Sequence, residues 1–196
     1  MRLQRLFESA IPATALVVML AACSSAVPTD TPGVEQLGEY VLRHTGPELE
    51  TVIGYRYSAQ NPGSEWLIVE LALSSPPGKM AKVERDNISV RTPDGITVKL
   101  ASQKEFAEAY GELRSVIRAE EIARDPMDYF PPSRQPCGLD LFQAPGEGVV
   151  FDQVTVNDQR ACAGKLFFRV PGGVQKGRWV LAVDLPESDV RIPFKI

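Results

Sequence analysis

Histidine is nearly absent from this chain, with His44 standing alone among 196 residues. A Ser or Cys nucleophile therefore has one imidazole to draw on, and a metal site has one imidazole ligand at most. No GxSxG-type elbow supplies such a nucleophile, and no glycine-rich loop cradles a phosphate, since Pro171, Gly172 and Gly173 read as a turn between strands. Asp125 with Asp128 and Asp140 with Glu147 are carboxylate pairs, but neither has a recognisable acid/base or calcium-loop spacing. A basic excess is missing as well: 21 Lys and Arg face 25 Asp and Glu, for a formal charge of −4. Without a basic footprint the chain is not expected to bind nucleic acid. No catalytic residue, cofactor or metal site is expected, and His44 reads as a surface or satisfied structural residue.

Membrane-spanning length is lacking too. The N-terminal apolar run, Ile11 to Leu20, is about half the roughly 20 residues that cross a bilayer. It follows Arg2 and Arg5 and meets the small residues Ala21 and Ala22, which is the anatomy of a signal peptide. Leu20, Ala21, Ala22 and Cys23 resemble the lipobox of bacterial lipoproteins. The resemblance implies that residues 1–22 are cut away and that the Cys23 thiol carries a diacylglyceryl group. Two or three acyl chains on the mature cysteine, as in that family, anchor stably where one holds only reversibly, at about 0.8 kcal/mol per buried methylene. Ser24 stands where the family's inner-membrane retention signal is usually Asp. In an organism with two membranes the resemblance therefore points to the outer one, on its periplasmic side. An ordinary secretory signal with Cys23 merely adjacent is the alternative.

Removing residues 1–22 takes away Arg2, Arg5 and Glu8, and leaves 174 residues with a formal charge of −5. That length suits one domain with a real core. Cysteine is scarce, at three, and once Cys23 is lipidated Cys137 and Cys162 are the only possible pair. Exported proteins fold where disulfides persist. A bridge closing about 26 residues contributes roughly 3 to 4 kcal/mol on the loop-entropy estimate. A reactive or metal-binding thiol pair is the competing reading, although the spacing is far from CxxC.

Residues 23–33 are rich in Ser, Thr and Pro without an apolar period, and read as the lipidated Cys with a flexible tether. The domain then occupies 34–196. Tyr40 to Leu42 and Thr51 to Tyr57 are candidate strands. In Leu67, Val69, Leu71 and Leu73 one face is wholly apolar, and Trp66, Ile68 and Ala72 make the other mostly so, which predicts a central strand covered on both sides. Ile88 and Val90, then Ile96, Val98 and Leu100, flank Pro93, Asp94 and Gly95 as a half-buried hairpin. Val149 and Phe151 are out of phase with Val154 and Val156, which suggests a bulge at Asp152 or Gln153. Leu166 to Val170, Trp179 to Val183 and Val190 to Ile196 complete the set, with Pro193 arguing for an edge. Regular short strands predict an all-β, immunoglobulin-like sandwich of about 7–9 strands.

One inserted helix, about 103–122 within 102–124, is announced by Ser102 and Glu105 as a capping box and by the stripe Phe106, Tyr110, Leu113 and Ile117. It is expected to cover an open end or edge of the sandwich, with a partner-binding helix as the alternative. A Pro-rich loop, 125–148, follows. Tyr129, Phe130, Pro131 and Pro132 make it a candidate interaction loop, because preordered aromatics lose little entropy on docking. Alternatively, Tyr129 and Phe130 fold back on the core.

From Trp66 to about Ile196, the Pro93-Asp94-Gly95 turn, the Leu166-Phe167-Phe168-Arg169-Val170-Pro171 segment and the Trp179, Leu181, Val183 strand resemble immunoglobulin-like extracellular domains of the DUF4352 kind. The resemblance implies a non-catalytic module and transfers no site residues. The expectation is a lipid-anchored, non-catalytic envelope protein acting as an interaction or structural module, with the membrane reached through lipid on Cys23 and another envelope protein as the candidate partner. A periplasmic small-ligand or metal-binding carrier is the alternative, and a hydrolase comes last.

Overall fold

The computed structural model describes residues 27–120 and 126–196, so Cys23, the signal region and residues 121–125 lie outside it. In chain order the elements are β1 (Val27–Pro28), β2 (Val34–Gly38), β3 (Val41–Thr45), β4 (Glu50–Gly54), α1 (Arg56–Gln60), β5 (Trp66–Ser74) and β6 (Met80–Glu84). There follow β7 (Ile88–Arg91), β8 (Thr97–Lys99), α2 (Gln103–Glu120), β9 (Gln135–Gly138), β10 (Gln153–Asn157), β11 (Arg160–Arg169), β12 (Arg178–Asp184) and β13 (Asp189–Lys195). The molecule is an all-β sandwich with one long helix.

The large sheet runs β1-β2-β3-β4-β5-β11-β9, and the opposing sheet runs β13-β12-β7-β8, with β10 and β6 forming a separate two-stranded ribbon. Between them lies the main core, where Leu67, Val69, Leu71 and Leu73 of β5 meet Leu166 and Phe168 of β11, with Trp179 and Leu181 of β12. Burying that many side chains at about 25 cal/mol per Å² of apolar surface is what holds the sheets together. Trp179 is wholly buried, and its indole N–H donates to the Gln175 carbonyl at 2.9 Å. β5 is central and covered on both faces, as its double apolar pattern predicts.

Its second face is covered by two different pieces. Trp66, Ile68 and Phe167 pack under Phe106 and Leu113 of α2. Val52, Ala72 and Ala161 pack under Phe130. The helix therefore lies on the outer face of the large sheet, where Trp66, Ile68 and Phe167 need cover, rather than on an open end or edge. Its start is as expected: the Ser102 amide and hydroxyl donate to Glu105 at 2.8 Å each, and the Glu105 amide donates back to the Ser102 hydroxyl at 3.1 Å. The two bonds the carboxylate accepts, that from the Ser102 amide above all, hold the Glu105 carboxyl below its usual range.

Several boundaries differ from the sequence reading. Val27 and Pro28 pair with Gln36 and Glu35, so the stretch read as a tether is part of the sheet from Val27 onward. The candidate strand at 51–57 ends at Gly54 and gives way to α1, because the Ser58 hydroxyl leaves the strand course to bridge the amide and carbonyl of Ile68, at 2.8 Å each. No bulge forms near Asp152; β10 begins at Gln153, and Val149 and Phe151 precede it, exposed. Ile96 is likewise exposed, since the hairpin turn extends to it and β8 begins one residue later. The hairpin itself pairs as expected, with Val90 opposite Val98.

The sheet edges share one device. Gln135 and Leu139 donate to the carbonyls of Gln159 and Ala163, so Pro136, between them, turns its nitrogen to the open side. Ile196 and Gly177 exchange both of their bonds, which by alternation turns Pro193 outward on β13. Thr29 donates to Val34, which turns Pro28 outward on β1. Each of these edges thus lacks a donor where a further strand would need one.

Candidate functional site

Cys137 and Cys162 form a disulfide, and they sit directly opposite one another in the parallel pairing of β9 with β11, Cα to Cα 4.3 Å. The bridge fastens the end of a strap, 126–138, that crosses the outer face of the large sheet. A turn of 3-10 helix, Pro126–Tyr129, opens the strap, and Phe130 drives into the sheet at 8 % exposure. Phe130 is therefore a core residue and not an exposed contact. Tyr129 is half-buried, while Pro131 and Pro132 are exposed.

Tyr129 stands between two clefts. One, of about 430 Å³, is lined by Arg43, Thr45 and Glu50 of the sheet and by Tyr129, Phe130, Pro131 and Arg134 of the strap. The other, of about 300 Å³, lies over Gly38 to Val41 and Gly54 and includes Arg56 and Glu70. The first is built by charge. Arg134 pairs with Glu50, both mostly buried, and its guanidinium lies 5.2 Å from the centre of the Phe130 ring. Arg43 donates to the Tyr129 carbonyl at 2.6 Å. A mostly buried pair of this kind fixes geometry more than it adds stability. The sequence reading found the strap's aromatics and prolines and missed Arg43, Glu50 and Arg134. Arg43 and Glu50 arrive from strands more than 80 residues away, and no local pattern marks them.

Expected as a surface or satisfied structural residue, His44 is neither exposed nor satisfied at Nδ1. It is 8 % exposed on β3, its Nδ1 is buried without a partner, and the hydroxyl of Thr51, the residue opposite it on β4, is buried and unpartnered too. Burial holds its pKa below the usual value. A base and nucleophile pair requires a hydrogen bond and an open side. Here neither bond is made, and Thr51 is wholly buried. Among the described residues no three His, Cys, Asp or Glu side chains gather as a metal site, and no helix is long and apolar enough to cross a membrane.

Among the described residues the large exposed apolar side chains are elsewhere: Met80, Ile96, Val149 and Phe151. Val149 and Phe151 follow the Pro-rich loop, which makes Phe151 the open aromatic of this region in place of Phe130. No known family, characterised protein or solved structure matches the chain.

Proposed function

We propose that the protein is a lipid-anchored, non-catalytic component of the cell envelope, an interaction or structural module whose contact surface is the face beside Tyr129. The observation that carries this reading is the position of Tyr129 as a ridge between two clefts, on a strap tied at its end by a disulfide. A surface built before its partner arrives loses little entropy on docking. The disulfide suits an oxidising compartment, in keeping with export through the Cys23 lipobox. Val27 follows Cys23 by only four residues, so lipid on Cys23 would hold the β1 edge within about 14 Å of the bilayer.

A small-ligand carrier is less well supported. In a ligand pocket the polar groups aim at the ligand, whereas Arg43, Glu50 and Arg134 are engaged with the protein itself. The loose immunoglobulin-like resemblance of residues 66–196 agrees with a module that performs no chemistry. The test is a photoreactive side chain placed at Pro131 or Pro132 in living cells, with one at Lys104 on α2 as control. A discrete protein adduct from the strap and none from the helix supports the proposal. No adduct from the strap, in protein that still fractionates with membranes, overturns it.

A further inference from the structure

Like charges stand opposite one another at both ends of the β12–β13 pairing. At one end Asp184 faces Asp189, and Arg191 bridges the two carboxylates at 2.6 and 3.5 Å. At the other end Arg178 faces Lys195. Gly177 and Ile196, the next residues along, exchange both of their backbone bonds. By alternation Arg178 and Lys195 are a non-hydrogen-bonded pair, the kind whose Cα atoms lie only about 4.5 Å apart. Like charges so placed destabilise a sheet. Among the described residues neither side chain makes an ion pair or a hydrogen bond, so Arg191 has no counterpart at this end.

Both cations line a third cleft, of about 410 Å³, where β2 and β3 of the large sheet meet β13 of the other. Leu42, Tyr55 and Phe194 lie buried beneath it, with Pro193 beside them. The large-sheet side contributes Asp30 and Glu39, so two cations and two carboxylates share the cleft, yet no ion pair spans it. Thr29, also in the lining, follows Cys23 by six residues, at most about 21 Å of extended chain.

We propose that this cleft holds the headgroup of a phosphoethanolamine lipid from the bilayer in which the protein is anchored. The phosphate lies between Arg178 and Lys195, as Arg191 lies between Asp184 and Asp189 with the signs reversed. Arg grips phosphate through its planar fork and Lys as a point charge. The ammonium meets Asp30 and Glu39, and the glycerol with the first methylenes covers Pro193 and the apolar floor. A phosphoglycerol headgroup would leave the two carboxylates without a counter-charge. The bilayer as the source of the ligand rests on the reading of Cys23 as the lipid anchor; the arrangement of charges stands without it.

Calorimetric titration of the mature chain, purified from cells in a non-ionic detergent, tests this with three probes: dihexanoyl-phosphatidylethanolamine, dihexanoyl-phosphatidylglycerol and free phosphoethanolamine. The ethanolamine lipid should bind about tenfold more tightly than either of the others, and Arg178→Gln/Lys195→Gln should weaken it by about tenfold or more, as the loss of charge-assisted bonds requires. Asp30→Asn/Glu39→Gln should erase the preference between the two lipids. Lys104→Ala/Arg114→Ala, which removes two exposed cations from α2, should bind as the wild type does. No binding of the ethanolamine lipid, or binding untouched by the Arg178/Lys195 variant, overturns the site. Equal binding of the two lipids overturns the zwitterion, and free phosphoethanolamine bound as tightly as the lipid overturns the bilayer as its source. Intact mass keeps the anchor separate: a diacylglyceryl group on Cys23 without headgroup binding removes this site alone, and headgroup binding by a chain lacking that group removes the anchor alone.

Discussion

Arg85 joins three parts of the molecule through one side chain. Its guanidinium donates to the carbonyl of Ala101, just before α2, at 2.7 Å, and to that of Leu141, and it lies 4.5 Å from the centre of the Phe142 ring. Burial pushes its pKa down, and the charges of Asp152 and Asp86 partly offset this. Charge-assisted bonds to buried carbonyls are worth more than neutral ones, so Arg85→Ala should destabilise by about 2–4 kcal/mol in urea unfolding. Arg85→Lys should recover less than half of that, because an ammonium lacks the planar fork that reaches both carbonyls. Full recovery by Lys would mean the charge alone matters. His44 has the opposite character, a buried imidazole with no partner for Nδ1. Its folded pKa lies below the unfolded value of about 6.5, so the stability tied to neutral His44 is complete above that pH and is lost as the pH falls from there toward the folded pKa. Urea midpoints measured at pH 7 and pH 5 should therefore fall in the wild type, and fall less in His44→Leu. An equal fall in both would remove His44 from the account.

Among the elements, α2 is both well begun and weakened in the middle. Ser102→Ala should cost about 1 kcal/mol by leaving the first turn uncapped. Gly111 is helical and a Cβ there would meet nothing within 4 Å, so Gly111→Ala should stabilise by about 0.5–1 kcal/mol, seen as a raised Tm. A lower Tm would show that this face of the helix is in contact with something. The strand edges make a different prediction. With Pro136 and Pro193 both turned outward, the Pro136→Thr/Pro193→Thr variant regains donors on two open edges and should self-associate in sedimentation velocity at concentrations where the wild type sediments as one species. A variant that sediments unchanged would show that other features protect these edges.

For the molecule as a whole, patterns with a short period were legible and juxtapositions were not. The double apolar face of β5, the capping box at Ser102 and the outward Pro193 are written within a few neighbouring residues, and each is where the sequence puts it. β2, β6 and β9 escaped notice because they are short and mixed in composition, and they form strands only because a neighbouring strand is there to pair with. Phe130 illustrates the same limit within the candidate site: an aromatic among prolines reads equally as a contact or an anchor, and the small residues Ala72 and Ala161 that make room for it lie far along the chain. By itself, then, the sequence determined the all-β class, the helix start and the cysteine pair, because alternation, capping and pairing by elimination are local or countable. Only the tertiary structure decided that the helix covers a sheet face, that Arg43, Glu50 and Arg134 meet around Tyr129, and that the disulfide fastens a strap, because these depend on which distant strands become neighbours.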